Sequence, residues 1–165
     1  MLFRSEAIQG RHVIWTVTPA QIFSGMSVTG QVSRLNDYED VGGAFFVDEN
    51  CQRPDEVFDD QTLFIESSKG LVVVFGCAHS GVVNTLDYIS KLTGYNKIYA
   101  VIGGMHLSNA SRVRITNTIE AFKKYEIRKI VPLHCTGQKA MQDFKTAFGK
   151  KCLLLGAGRQ ISLSS

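Results

Sequence analysis

The chain has 165 residues, 44% of them hydrophobic and 20% charged, which is typical of a globular protein and excludes a disordered or fibrous one. Its formal net charge of +3 is small, and the densest basic pairs, Lys123-Lys124 and Lys150-Lys151, lie where helices are predicted to end, so we expect no nucleic-acid partner. No apolar run approaches the roughly 18 residues of a membrane span, and we expect no membrane partner.

Residues 1–69 are predicted to be mainly β-structure, because short β-type runs alternate with turns. The predicted strands cover residues 12–17, 26–32, 45–47 and 62–65. A long acidic loop, residues 36–60, interrupts them, and we expect it to be a surface excursion outside the core.

From Gly70 onward the pattern changes to strands that alternate with helices. The predicted strands of this part cover residues 71–75, 98–102 and 130–133, and two short strands, 152–155 and 160–163, close the chain. The helix stripes are Val82, Leu86 and Ile89, then Ile115, Ile119 and Phe122, then Met141, Phe144 and Phe148. This alternation predicts an α/β fold with three helices packed on a sheet, and we interpret residues 1–165 as a single domain.

Four cysteines are present, at positions 51, 77, 135 and 152, without the spacing of a disulfide framework. The N-terminus has no charged segment followed by an apolar one, as a secretory signal would have. We therefore expect reduced thiols and a cytoplasmic location.

Each of the predicted strands 71–75, 98–102 and 130–133 is followed by a turn of small residues that contains one histidine. These histidines are His79, His106 and His134. Ligands of open α/β sheets collect at the carboxyl ends of the strands, so the imidazoles converge if the strands are neighbours. The pattern predicts a shared functional site, with metal binding favoured and acid/base chemistry as the alternative.

Two hydroxyl residues, Ser80 and Thr136, stand with Ser108 at the predicted helix starts, where free N–H groups and the helix dipole favour an anion such as phosphate. Cys77 and Cys135 lie beside the histidines. A cysteine next to a ligand histidine usually points the other way, and the spacing is not that of a structural zinc site, so we do not expect either thiol to be a ligand.

Several segments in a fixed order resemble the metallo-β-lactamase superfamily. They are residues 59–63, 76–85, 103–107 and 132–137, and residues 18–25 and 156–158 also fit. More narrowly, they resemble a branch of metal-dependent hydrolases related to the dihydropterin–aminobenzene ribosyl-phosphate synthase. The resemblance implies an αβ/βα sandwich with a mixed sheet and a metal site, usually of two ions, along one edge.

The resemblance also implies roles for the histidines. His134 resembles the family's last metal ligand, and His79 matches a middle motif that supplies a histidine or a bridging aspartate. His106 is either a third ligand or a catalytic group that contacts the substrate or moves a proton. The expected cofactor is a divalent metal, with zinc as the first expectation and iron or manganese as alternatives. It would activate water against an ester- or phosphate-bearing small molecule, or support transfer onto a pterin precursor. Ser80 and Thr136 would bind the substrate's phosphate or carboxylate.

The family's strongest metal-binding motif, His-x-His-x-Asp-His, is absent from these 165 residues, and His12 does not fit it. We therefore expect a truncated or split version of the fold that needs a partner, either a missing N-terminal half or a second copy of itself. A catalytically inactive remnant, or an anion-binding module, is the main alternative. An unrelated α/β phosphate-binding domain is a third.

Overall fold

A computed structural model of the chain describes residues 9–156 and 158–162. These residues form six strands and three α-helices. The strands are β1 Ala20–Phe23, β2 Met26–Val28, β3 Thr62–Ser67, β4 Gly70–Phe75, β5 Ile98–Gly104 and β6 Lys129–Leu133, and the helices are α1 Val82–Thr93, α2 Arg112–Lys124 and α3 Gln138–Phe148. Short 3₁₀ turns, His134–Thr136 and Gly149–Lys151, flank α3.

All six strands belong to one sheet, in which the spatial order follows the chain order. Strands β1 to β4 pair antiparallel, and β4, β5 and β6 pair parallel through the crossover helices α1 and α2. This confirms the predicted α/β class, with a mixed sheet and three helices. It also confirms that the three histidine-bearing turns follow neighbouring parallel strands, so they leave the sheet at the same edge.

The core lies between the helices and the parallel part of the sheet. Leu71, Val73 and Phe75 alternate along β4 and join Leu86 of α1 in one buried cluster. Phe122 of α2 and Phe144 of α3 meet edge to face in the same cluster, with ring centroids 5.2 Å apart. Full burial of each such side chain stabilises the fold by about 1.5–3 kcal/mol. This packing fixes the strand ends on which the histidine turns are built.

Gly103 lets β4 and β5 approach closely just before the site. Its φ is +123°, and a Cβ atom there would lie 2.2 Å from the carbonyl oxygen of Phe75. Only glycine fits both the backbone angle and this distance.

The antiparallel part of the sheet differs from the prediction. Residues 12–17 and 45–47 contain no strand, apart from a single bridge between Phe46 and Pro54, so both predictions are wrong. Of the strand predicted over 26–32, only the part up to Val28 forms, as β2. It pairs with β1, Ala20–Phe23, and not with the run predicted over 12–17. The physical reason is that β-type runs form strands only where a neighbouring strand offers its backbone groups.

The predicted closing strands differ as well. Cys152 makes one parallel bridge to Ile130, but the described residues from 153 to 162 form no strand. Ala157 of the predicted turn and Leu163 of the last predicted strand lie outside the described residues. None of the described helices is both long and apolar enough to cross a bilayer.

Candidate functional site

Two of the three predicted histidines meet at the carboxyl edge of the sheet. The imidazole rings of His79, after β4, and His106, after β5, have centroids 4.2 Å apart and planes 47° apart. The ring of Phe45 packs edge-on against His79, at 5.3 Å. Phe45, the aromatic residue that contacts this histidine pair, therefore comes from the acidic loop, residues 36–60, which we expected to lie outside the core.

Backbone carbonyls set the tautomer of each of these imidazoles. His79 Nδ1 lies 2.9 Å from the carbonyl oxygen of Val41, and His106 Nε2 lies 3.0 Å from that of Gly42. A carbonyl can only accept, so each of these nitrogens carries the proton and donates it. The lone pairs are left on His79 Nε2 and His106 Nδ1, which is the arrangement that suits a metal ligand or a proton acceptor.

The surroundings of His106 favour its neutral form. Burial has the largest effect and lowers the pKa of this imidazole, and the charges of Arg114 and of a protonated His79 lower it further, while the bond to Gly42 and the charge of Asp40 oppose the shift. Its Nδ1 atom is buried, and none of the residues described by the structure offers it a hydrogen bond. A buried lone pair without a donor is costly, so this atom is suited to an additional ligand.

A four-residue segment, Glu39 to Gly42, holds this region together, and we call it the covering loop. Beyond the two carbonyls, the Glu39 carboxylate accepts hydrogen bonds from the backbone N–H groups of Val83 and Asn84, each at 2.9 Å. It thereby caps the N-terminus of α1, whose N-cap residue offers no side-chain bond. Asp40 pairs with Arg114 of α2 at 2.5 Å. The expectation that the acidic loop lies outside the core is wrong here, since only 5% of Glu39 is exposed.

The third histidine, His134, belongs to a different group. Its ring nitrogen and the sulfur atoms of Cys77 and Cys135 all lie within 4.8 Å of one another. Among the described residues the three imidazoles do not form such a group, so the predicted convergence holds only for His79 and His106.

Both thiols lie beside His134, although we expected neither of them to face a metal. The reason is local, because His134 has a φ of +48° and opens a 3₁₀ turn. The left-handed residue breaks the strand alternation that would have sent Cys135 to the opposite face. Cys135 Sγ accepts a hydrogen bond from the backbone N–H of His106 at 3.3 Å. Burial raises the pKa of this thiol to about 11.

The two predicted anion-binding residues lie inside the fold. Thr136 is fully buried, and its hydroxyl accepts from the N–H of Met105 at 3.1 Å and donates to the carbonyl of Leu133 at 2.7 Å. Ser80 is 1% exposed, and its hydroxyl has no hydrogen-bond partner in the described part of the chain. The Glu39 carboxylate accepts from the N–H groups of Val83 and Asn84 in the first turn of α1. Their role toward a substrate stays a prediction.

Asp60 is a site residue that the histidine pattern does not reveal. Burial raises the pKa of this carboxyl, while the charge of His79 and the backbone N–H groups of Ser80 and His79 oppose that effect. The carboxylate therefore holds the turn that carries His79. The signal in the sequence is its position, because Asp60 lies in the segment that resembles the family, two residues before β3 begins.

Arg114 is a second site residue that the sequence motifs do not reveal. It lies on the buried face of α2 with Thr118 and Ala121, and 2% of it is exposed. The signal was its spacing, since residues 114, 118 and 121 share one side of a helix.

Comparisons with known proteins agree with this architecture. No family model matches the chain. Over 160 residues, 94% of this chain and 54% of the relative, it is 36% identical to the 7,8-dihydropterin-6-methyl-4-(beta-D-ribofuranosyl)-aminobenzene-5'-phosphate synthase of Methanocaldococcus jannaschii. An uncharacterised protein of the same archaeon is 34% identical over 123 residues, which are 74% of this chain and 44% of that protein. The crystal structure of Tm1679, a metal-dependent hydrolase of the beta-lactamase superfamily, matches with a TM-score of 0.80 and 33% identity, over 94% of this chain and 59% of that one.

The sheet, the crossover helices and the histidine turns define a protein of the metallo-β-lactamase superfamily, and the chain belongs to it. Within the superfamily, the chain is similar to the branch represented by the dihydropterin–aminobenzene ribosyl-phosphate synthase. It spans about half the length of the curated relatives that it matches, 54% of one and 44% of the other.

Proposed function

We propose that this chain forms one part of a metal-dependent hydrolase of the metallo-β-lactamase fold, which acts on an ester- or phosphate-bearing small molecule. The observation that carries the proposal is the pair of donor groups at one sheet edge. One is Cys77, His134 and Cys135, whose ligand atoms lie within 4.8 Å of one another. The other is the pair of His79 and His106, whose tilted rings are in contact and each have a ring nitrogen left without a proton.

The donor chemistry fits a divalent metal. One imidazole nitrogen and two sulfurs suit zinc, and three protein ligands with an open fourth position are typical of a catalytic zinc site. Thiolates favour zinc over manganese, so manganese is the weaker alternative and iron remains the other one. The buried, unpartnered Nδ1 of His106 offers a further donor close by, since the backbone N–H of His106 bonds to Cys135 Sγ.

The chemistry that a divalent metal supplies in such a site is activation of water and polarisation of an ester or phosphoryl oxygen. The chain's own residues would orient and move protons. His106 Nδ1 would accept the proton of the attacking water, because the bond from Nε2 to Gly42 fixes the ring and keeps this lone pair free. Asp60 would act only through His79, as a positioning residue.

Residues beyond these 165 would complete the site. The His-x-His-x-Asp-His motif is absent from the chain, and a two-metal site needs more ligands than the described residues bring together. We propose that an N-terminal half or a second copy supplies them. Because one relative is named a synthase, transfer onto a pterin precursor is a variant of the same proposal. If no metal binds, the anion-binding module is the remaining function.

Cobalt(II) titration tests the metal site, because thiolate ligands give an intense charge-transfer absorption that imidazole and carboxylate ligands do not. We expect about one cobalt per chain with this band. His134→Ala and Cys135→Ser should each weaken cobalt binding about tenfold or more, the size of effect that loss of a supporting group already has.

Two matched variants serve as controls. Cys51→Ser removes an exposed cysteine outside the group, and His106→Ala removes the proposed proton acceptor. Both should retain the thiolate band. Cys135→Ser keeps Cys77, so its band should be weaker but still present at saturating cobalt. Absence of the band in the unaltered chain, or unchanged cobalt affinity and band intensity in Cys135→Ser, would contradict the proposed ligand set.

A further inference from the structure

Arg114 is a buried cation with most of its hydrogen-bonding capacity unused. The guanidinium is 2% exposed and contacts one acceptor, the carboxylate of Asp40, through Nη1 at 2.5 Å. Its Nε and Nη2 atoms are buried and have no hydrogen-bond partner among the residues that the structure describes. Leaving charged donors buried and unpaired is among the more costly arrangements in a folded protein.

The unpaired atoms form one edge of the guanidinium. Nε–H and Nη2–H point in the same direction, and this is the fork that binds two oxygens of a carboxylate or phosphate at once. Asp40 occupies only the opposite nitrogen, and its own side chain is 75% exposed, so water weakens its hold on Arg114. The bidentate edge is therefore left for another acceptor.

Arg114 lines a cavity of about 460 Å³ at the N-terminus of α2. The other walls are residues 109–111, which lead into the helix, and residues 40–43. The first turn of α2 contains no acidic side chain, and Ser111 Oγ accepts only from the N–H of Arg114. The positive end of the helix therefore adds to the field of the guanidinium.

The helix starts differ in what occupies them. At α1, the Glu39 carboxylate already accepts from the first-turn N–H groups of Val83 and Asn84. At α2, the anion nearest to the cation is Asp40, which approaches from the solvent side. Gly42, which lines the cavity, also accepts from His106, so the cavity adjoins the pair of imidazoles.

We propose that this cavity binds a phosphate group of a small molecule, with Nε and Nη2 of Arg114 donating to two of its oxygens. Phosphate fits better than a neutral group because the unpaired donors are cationic and a helix start adds to them. Asp40 holds the guanidinium in place when the cavity is empty and competes with the incoming anion. The further claim that this small molecule is a substrate rests on the proposed function. Phosphate binding by itself does not, because it needs no metal.

The test is titration of the full chain with inorganic phosphate by calorimetry, at constant ionic strength and with a chelator present. Arg114→Gln should weaken phosphate binding about tenfold or more, as expected for loss of a charge-assisted bidentate contact. Arg114→Lys should weaken it too, because the charge stays and the fork is lost. Asp40→Asn should tighten it, because the competing carboxylate is gone.

Arg112→Gln is the matched control. It removes the same charge two residues away, from an exposed side chain that pairs with Asp143. If Arg112→Gln weakens phosphate binding as much as Arg114→Gln does, the attraction is general charge and the proposal is overturned. If Arg114→Gln fails to fold, the Asp40→Asn comparison decides, and unchanged or weaker binding overturns the proposal. Because a chelator is present, failure of the metal site leaves these results unaffected.

Discussion

At the scale of single residues, the strand-end turns share an uncommon backbone conformation. Ala78, His106 and His134 have φ values of +58°, +46° and +48°, although none of them is glycine. This region costs an L-residue about 1–2 kcal/mol, so surrounding contacts must hold it. Such conformations concentrate at functional sites. All three lie in the turns that the histidine pattern had singled out.

The positions of the three histidines could be predicted from the sequence, but their grouping could not. Their place after parallel strands follows from apolar runs that end in small-residue turns. The left-handed φ at His134 depends on packing around the 3₁₀ turn, and it turns Cys135 toward the same side as His134. Strand alternation predicts that the thiol of Cys135 faces away from His134. The observed backbone conformation is what brings the two side chains to the same side.

Glu39 gives a prediction at the same scale. Glu39→Gln removes the charge but keeps the shape of a buried group that bonds to two backbone N–H groups of α1. Charge-assisted bonds of this kind contribute about 1.5–3 kcal/mol, so the free energy of unfolding should fall by about 1–2 kcal/mol. Urea denaturation followed by circular dichroism measures it.

An exposed carboxylate in the same acidic loop provides the comparison. Glu49→Gln should leave the free energy of unfolding within about 0.5 kcal/mol of the unaltered chain. Equal stability of the Glu39 and Glu49 variants would show that the covering loop does not stabilise α1.

At the scale of elements, the parallel strands and the three helices could be predicted because two independent signals agree. Continuous apolar runs mark β4, β5 and β6, and helical spacing marks the segments between them. In the antiparallel part the signals are short and depend on partners. The β-type run over residues 12–17 finds no neighbouring strand, whereas Ala20–Phe23 pairs with β2 through a two-residue turn.

The contact between β4 and β5 gives the prediction for this scale. Gly103→Ala places a Cβ atom against the backbone carbonyl of Phe75, which cannot move without breaking the parallel ladder, and it adds an unfavourable positive φ. We expect a loss of about 3 kcal/mol in the free energy of unfolding.

Gly76→Ala is the control for that substitution, since nothing lies within 4 Å of the added methyl group. Thermal melts of both variants compare them directly. A Gly103→Ala variant as stable as Gly76→Ala would mean that the strands are not held this closely in solution.

At the scale of the whole molecule, exposed apolar side chains gather in the segment that precedes β2. Ile14, Trp15, Val17 and Phe23 are each more than two-thirds exposed. Several exposed apolar side chains in one segment are typical of a surface that meets a partner. It is consistent with our proposal of an N-terminal half or a second copy, which stays a proposal.

We expect the 165-residue chain to self-associate reversibly. Trp15, the one tryptophan of the sequence, should report it by a blue shift of its emission as the protein concentration rises. Ile14→Ser with Phe23→Ser should weaken the association, measured by sedimentation velocity. Val113→Ser alters an exposed apolar residue on α2 and should have no effect. A chain that stays monomeric with constant emission would contradict self-association and favour a separate N-terminal half.

The covering loop has a consequence for how such sites can be found in other sequences. Its first two members, Glu39 and Asp40, act through side chains, but Val41 and Gly42 act through their carbonyl oxygens. The side chain at position 41 can therefore vary among related proteins, because the backbone carbonyl is what orients the imidazole of His79. Position 42 favours glycine, because its φ is +79° and a Cβ atom there would lie 2.0 Å from the ring of His106 and displace it. Related chains should thus preserve a glycine whose side chain has no chemistry of its own.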